Sequence, residues 1–479
     1  MARTPSSRHN PRPRTSRSTA ELAPRRTHRR QRARKPASRL ALIAAAAACF
    51  LALAQPASAA TPAPFEPGER WCALGDSITH SGRYHHYIYL FYGTRYPERP
   101  IDFFNAGISG DNAGGALQRL DADVLRHRPT LVTVMFGMND VARNLYAETA
   151  PSAETLAKRE AAIARFATNL RELAGRLRSA NLRAVMVTPS IFDDTAEAAA
   201  PNLPGVDAAL ARCSEITRSA AAEFGFAAID LHGPMQAINR AQQAKDPRFS
   251  LVGPDRVHPE EPGHFVMAYL ILKAQGVTGS VAELRADADG KPALEFSATE
   301  PSLPFPVPAA CKPALALVPF TDELNRQTLR VDRLPEGDYA LAIDGEPAGV
   351  FPRAKLAAGI NLAALDETPQ LRQARAVAAL DEKRFGLVRR LRTLDYVEAK
   401  MGRTIGDPSP FDWKPKAEAL AAQQGGNPWI RAQYQAYLEI KPAEATLREQ
   451  LADTIAEIRA SNRPKPHRFT LQKTTRHER

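Results

Sequence analysis

Cysteine is scarce, with four among 479 residues, and a chain long enough to bury two or more packed domains has no need of covalent staples. Cys49 falls in an N-terminal apolar run, which leaves Cys72, Cys213 and Cys311. An odd number permits at most one internal bridge, and with Cys72 inside an apolar strand the expected state is three buried thiols. Also missing is an apolar run of the ~20 residues that span a bilayer; the run at 40–54 stops short of it. Acidic residues are nearly absent before residue 60, where Glu21 stands alone against twelve Arg and Lys35. That imbalance accounts for the whole formal charge of +12, and from residue 60 onward 51 basic and 51 acidic side chains cancel. The basic isoelectric point therefore belongs to the presequence, and no nucleic-acid partner is expected for the rest. No internal repeat is present.

What residues 1–59 do contain reads as a signal peptide with a long basic n-region. A basic segment up to Arg39 precedes the apolar run, Pro56, and then Ala57-Ser58-Ala59 as a small-residue cleavage site before Ala60. Cys49 invites a lipoprotein reading, but Phe50-Leu51-Ala52 continue the apolar run beyond it, so simple cleavage is expected. The mature protein is then exported, periplasmic or extracellular, with no integral membrane segment left.

From residue 60 to 276, short apolar runs at 71–74, 101–105, 131–136, 184–188 and 227–231 alternate with longer amphipathic stretches, clearest at 153–180 and 205–224. This alternation predicts an α/β domain with a mostly parallel sheet and helices on both faces. After Gly276 the texture changes. A Pro-rich segment at 301–313 separates short, turn-punctuated strands, among them 314–318, 328–331 and 338–343, the last closed by Asp344-Gly345. A small β module over 277–352 is expected. Residues 353–461 read as helical, with candidates at 368–401, 414–424, 428–440 and 443–461, and with Gly402 and Gly425-Gly426 as stops. The basic tail, 462–479, shows no apolar periodicity and is expected to be loosely held or to lie along the surface.

The chemistry concentrates at strand ends. Trp71-Cys72-Ala73-Leu74 runs into Gly75-Asp76-Ser77, which places Ser77 at the carboxyl end of a strand before a helix, where open α/β sheets carry ligands. A serine there attacks a carbonyl if a base takes its proton and N–H donors await the oxyanion. The next loop, Asn105-Ala106-Gly107-Ile108-Ser109-Gly110-Asp111, offers the Gly107 N–H, since a glycine lets backbone approach a ligand closely. Phe136-Gly137-Met138-Asn139-Asp140 offers the Asn139 side-chain amide. In Asp255-Arg256-Val257-His258, a carboxylate three residues before an imidazole can bond its Nδ1–H and leave Nε2 facing the serine. Each piece alone has a bland alternative as a turn, a cap or a surface pair. All four on loops at one end of one sheet, in this order, point to catalysis.

These stretches resemble the SGNH hydrolases, or GDSL esterase/lipase family: Gly75-Asp76-Ser77, Gly107, Gly137 to Asp140, and Asp255 with His258 match its four blocks, over about residues 70–276. The resemblance implies a flavodoxin-like sheet flanked by helices, Ser77 as nucleophile, His258 as general base and Asp255 as its orienter. It further implies an oxyanion hole from the Ser77 N–H, the Gly107 N–H and the Asn139 side chain, and neither metal nor organic cofactor. The C-terminal β and helical regions lie outside it.

Other residues divide between packing and pocket. Tyr84, Tyr87, Ile88 and Phe91 share a helical face and read as core rather than a sugar platform. His80, His85 and His86 have no acid or Cys at ligand spacing, so no metal centre is expected. His80 is close enough to Ser77 to line a pocket, and His264 reads as structural. Asp76 and Asp140 are expected to brace loops, while Asp111 and Asn112 stand evenly between loop bracing and substrate contact. The expected function is an exported serine esterase removing small acyl groups, most naturally acetyl, from an ester-bearing small molecule or polysaccharide. Lipase, lysophospholipase or O-acyltransferase activity at the same site, and a glycan- or partner-binding protein with an incidental esterase core, are the alternatives.

Overall fold

The computed structural model describes residues 60–401, 412–423 and 428–474. The presequence and the glycines Gly402, Gly425 and Gly426 lie outside the described residues. The first part alternates strands and helices: β1 (Arg70–Gly75), α1 (Ser77–Ser81), α2 (Arg83–Arg95), β2 (Asp102–Gly107), α3 (Ala113–Arg119), β3 (Leu131–Met135), α4 (Ala153–Ser179), β4 (Arg183–Val187), α5 (Val206–Phe224), β5 (Ala227–Ile229), α6 (His232–Gln243) and α7 (Glu261–Ala274). The five strands form a parallel sheet in the order β2-β1-β3-β4-β5. This is the flavodoxin-like order, whose reversal at β1 opens a crevice beyond the carboxyl ends of β1 and β3.

Period-two alternation along β1 sends Trp71 and Ala73 into one core, with Ile88, Phe91 and Phe265, and Cys72 and Leu74 into the other, with Phe166, Leu170 and Leu210. Burial on both faces explains why the strands read as short continuous apolar runs. Cys72, Cys213 and Cys311 are all free and buried.

The second part is β6 (Ser280–Asp287), β7 (Ala293–Thr299), α8 (Phe320–Leu324), β8 (Arg326–Asp332), β9 (Asp338–Ile343), β10 (Glu346–Pro352), α9 (Arg353–Ala358), β11 (Ile360–Asn361), α10 (Pro369–Lys400), α11 (Trp413–Gln423), α12 (Pro428–Ile440), α13 (Glu444–Ser461) and β12 (Pro466–Lys473). Two small sheets result, one of four strands ordered β10-β9-β12-β7 and one of three ordered β11-β8-β6.

Two expectations are corrected here. The segment 314–318 is no strand: a 3-10 helix that follows Pro308 and contains Pro313 occupies Ala309–Ala316 and runs into it. As far as residue 474 the tail is not loose. β12 lies between β9 and β7, antiparallel to both, and Phe469 and Leu471 are fully buried. His467, Phe469 and Leu471 alternate with polar Arg468, Thr470 and Gln472, but the run is short and holds only two large apolar residues, and the pairing strands lie more than a hundred residues away.

The helices are joined to the α/β part rather than appended. Thr368 Oγ1 accepts the N–H of Leu371 at 3.1 Å and starts α10. That helix then crosses α2, with His86 Nδ1 3.0 Å from Asp381 and Nε2 3.1 Å from Glu382. Ala374 and Val377 of α10 enter the same core as Trp71. With the sheet on one side and α10 on another, α2 buries Tyr84 through Tyr92 together. That is why it is buried nearly all round and not on one face alone. No helix among the described residues is long and apolar enough to cross a membrane.

The interior position of β12 predicts a large penalty for a small deletion. Phe469 stacks on Phe296 with ring centroids 4.9 Å apart, and Phe469→Ala should cost about 3–5 kcal/mol, measured as a shift in denaturant midpoint. A cost below about 1 kcal/mol, the scale of a surface change, would mean that the strand does not hold the second sheet together.

Candidate active site

Ser77 is the first residue of α1, directly after β1. The turn is tight: a Cβ on Gly75 would lie 2.3 Å from Thr79 Oγ1 and 2.9 Å from Met135 O, so only glycine fits. Asp76 caps the helix, its Oδ1 accepting the Ile78 N–H at 3.0 Å. Ser77 Oγ lies 2.8 Å from His258 Nε2, and His258 Nδ1 lies 2.5 Å from Asp255 Oδ2. The other Asp255 oxygen accepts the N–H groups of Val257 at 3.0 Å and His258 at 2.9 Å. Partial burial opposes ionisation of Asp255, but the bonds from the His258 ring and from these N–H groups outweigh it and hold the carboxyl below its ordinary range.

The turn carrying Asp255 and His258 is pinned by a residue that sequence reasoning passed over. Arg256 is buried with φ at 67°, a left-handed conformation that costs a non-glycine residue roughly 1–2 kcal/mol. Its guanidinium compensates by donating to the carbonyls of Asp193 (2.9 Å), Ala196 (3.0 Å), Ala198 (3.1 Å) and Ala200 (2.9 Å). Its own carbonyl accepts the Asp193 N–H at 3.0 Å. The four acceptors belong to an irregular loop, so no local pattern announces them.

The expected oxyanion donors divide. Asn139 Nδ2 donates one hydrogen to Asp111 O at 2.8 Å, and its Oδ1 accepts from Arg143 at 3.3 Å. The amide is thus oriented with its second hydrogen to spare. Gly107 is a correction: its N–H already donates to Asn105 Oδ1 at 2.8 Å, inside its own loop. Glycine is needed there for another reason, since a Cβ would sit 2.2 Å from His80 N and 2.5 Å from Thr79 C, where α1 crosses β2. Asp140 braces the loops as expected, accepting the N–H groups of Ala113 and Gly137 at 3.0 Å each. Asp111 and Asn112 also turn inward, Asp111 accepting from Arg119 at 2.8 Å and Asn112 capping α3 through Gly115 N–H at 3.0 Å.

The three neighbouring histidines diverge. His85 Nε2 contacts Thr79 O at 3.0 Å, His86 faces Asp381 and Glu382, and His80 Nδ1 accepts the Ser109 N–H at 3.2 Å. That last bond fixes the His80 tautomer with the proton on Nε2. Burial, then the charges of Arg392, Arg389 and Arg119, lower the His80 pKa to about 3, so the ring is neutral. His264 is buried, its Nε2 3.4 Å from Ser81 Oγ, which agrees with a structural role.

Ser77 and His258 open into a cavity of about 520 Å³ whose far wall is Gly386, Arg389, Arg390 and Thr393 of α10 with Trp429, Gln433 and Ile440 of α12. None of these wall residues was marked by the sequence, because nothing local says that helices 300 residues downstream reach Ser77. Their link to the site is Arg392. Fully buried, it donates Nε–H to Gly107 O at 3.0 Å and both terminal nitrogens to Asp123 at 2.6 and 2.8 Å.

A family profile described as GDSL-like Lipase/Acylhydrolase family matches residues 73–265, the stretch that supplies Ser77, Asn139, Asp255 and His258. A solved structure, BT4096, a gut microbial diltiazem-metabolizing enzyme, is 32% identical, with a TM-score of 0.80 over 86% of this chain and 99% of its own. The chain belongs to the GDSL-like lipase/acylhydrolase family. Acetylxylan esterase from Geobacillus stearothermophilus is 24% identical over 224 residues, 44% of this acylhydrolase and 94% of that protein. A crystal structure of Axe2, an acetylxylan esterase from the same organism, is likewise 24% identical over 44% of this chain and 96% of its own, with a TM-score of 0.37. The acylhydrolase is a serine ester hydrolase with an SGNH-type fold.

Behind Ser77 of this acylhydrolase sits a buried acid whose titration is measurable. Desolvation, only partly offset by the bond from Ile78 N–H and reinforced by the charge of Asp140, raises the Asp76 pKa from 3.8 to about 7. The folded state therefore binds this proton more tightly than the unfolded chain, and the group's contribution to stability falls as pH rises from about 4 through about 7. Asp76→Asn keeps an acceptor for Ile78 N–H and has nothing to ionise. Its melting temperature relative to wild type should climb between pH 5 and pH 8. A difference that stays flat would show that Asp76 does not change charge there.

Proposed function

We propose that Ser77, His258 and Asp255 form the catalytic triad of an exported esterase that removes acetyl or similarly small acyl groups from a carbohydrate. The observation that carries the reading is the unbroken chain from Asp255 through His258 to Ser77, at 2.5 and 2.8 Å, opening into a cavity. His258 Nε2 takes the hydroxyl proton as Ser77 Oγ attacks the ester carbonyl, and Asp255 stabilises the imidazolium and fixes its tautomer. The alcohol leaves with that proton, and water repeats the sequence on the acyl-enzyme.

The oxyanion is received by the Ser77 N–H and the free hydrogen of Asn139 Nδ2. In place of Gly107 we assign the third donor to Gly110, three residues on in the same loop, at φ 79°. Its N–H makes no other hydrogen bond among the described residues. The carbohydrate reading is supported by Trp429, a large aromatic left 39% exposed on the cavity wall, by the polar Thr393 and Gln433 beside it, and by the acetylxylan esterase relatives. Export is supported by the signal-like presequence.

Ser77→Ala should abolish hydrolysis of 4-nitrophenyl acetate with the fold intact by circular dichroism. Asn139→Ala should lower kcat by on the order of 10²–10³-fold with a smaller change in KM. Over a series of 4-nitrophenyl esters, kcat/KM should fall as the acyl chain lengthens. Residual turnover in Ser77→Ala would remove the triad assignment, and an optimum at eight carbons or more would move the enzyme to the lipases.

A further inference from the structure

Resting on the proposed esterase reading, we propose that the ester this enzyme prefers carries a carboxylate on its alcohol portion, as in an acylated acidic saccharide, and that Arg389 and Arg390 bind it. Six arginines lie on α10. Four are matched to acids: Arg372 to Glu346, Arg375 to Glu367, Arg384 to Asp381 and Arg392 to Asp123. Arg389 and Arg390 have no acidic partner among the described residues, and these are the two that face the nucleophile across the cavity. Arginines in a protein rich in ion pairs are left unmatched here, where a ligand would supply the counter-charge.

The wall is built to present them. Gly386, Arg389, Arg390 and Thr393 recur at the spacing of one helix face, and a Cβ on Gly386 would meet nothing within 4 Å. A residue without a side chain thus leaves open room beside two cationic ones. Among the described residues, no Asp or Glu lines this cavity to neutralise it. The positive field is felt across the floor, where burial, Arg392 and then Arg389 keep His80 from taking a proton. His80 therefore remains a neutral Nε2–H donor and does not compete with the arginines for an anion. Trp429, whose ring meets His80 edge-on at 6.2 Å, supplies an apolar plane for a sugar face beside the charges.

The placement also gives direction. A second groove, lined by Arg83, Glu260, Glu261 and His264, meets the first at Ser81, His258 and Arg389. It carries acids, with Glu261 held by Arg83 at 3.0 Å. The anionic group of a bound ester therefore lies on the α10 side of the nucleophile, away from Glu260 and Glu261. Guanidinium binds carboxylate through paired, charge-assisted hydrogen bonds, which makes the discrimination one of substrate binding.

The test compares two acetylated methyl glycosides that differ only in a C6 carboxylate against a C6 hydroxymethyl, a glucuronide and a glucoside. Wild-type kcat/KM should favour the acidic ester by about tenfold or more, through KM, and the ratio should shrink between 50 mM and 500 mM NaCl as the charges are screened. In Arg389→Gln/Arg390→Gln the ratio should fall to near one. Equal wild-type turnover of the two esters, or a ratio that persists in the double variant, overturns the proposal. So does a preference seen only when the carboxylate is moved to the acyl group, as in a succinyl ester. If wild type hydrolyses neither glycoside nor 4-nitrophenyl acetate, it is the esterase reading that fails. The salt dependence is read on unmodified protein, so poor folding of the variant leaves the question answerable.

Discussion

One buried ion pair joins the two halves of this protein. Arg392, from the helical region, and Asp123, from the segment after β2, are each about as deeply buried as a core leucine, and burial opposes the charge on both. Their mutual attraction, with Arg119 also bonding Asp123, overrides that cost and holds the acid below its ordinary range. Because the Arg392 Nε–H also ends on Gly107 O, the pair seats the loop from which Asp111 holds Asn139. Removing one partner of such a pair typically costs 3–5 kcal/mol, since the survivor is left buried and uncompensated. Here the loss would fall on the loop beside Ser77.

A second contact reinforces the first. Ile108, next in that loop, is buried in the core of the helical bundle with Leu391, Leu394 and Tyr437. The loop therefore belongs to two cores at once, the sheet through Gly107 and the helices through Ile108. The C-terminal helices build one wall of the cavity and brace its floor. The match to the gut microbial enzyme covers 86% of this chain, whereas the family profile ends at residue 265.

What was legible in the sequence was what is local. The five strands of the parallel sheet stand at the short apolar runs, and the positions of Ser77, Asn139, Asp255 and His258 follow from the chemistry of the loops that carry them. What was not legible depends on partners far along the chain. β12 is a strand only because β7 and β9 flank it. Arg256 keeps its left-handed backbone only because four distant carbonyls accept its guanidinium. Gly107 shows a different limit: it has to be glycine, but the constraint is a 2.2 Å approach of α1, not a ligand. The identity of a residue was readable where its reason was not.

The place of β12 bears on how the molecule is assembled. It is the last described strand to leave the ribosome, yet it fills an interior slot between strands made more than a hundred residues earlier. Until it arrives, β7 and β9 each present an unpaired edge, the kind of surface that recruits other chains. The second sheet is thus completed only after nearly all of the polypeptide has been synthesised. A chain cut short just past α13 would keep every residue of the proposed triad and the cavity wall, and would carry two open strand edges into solution.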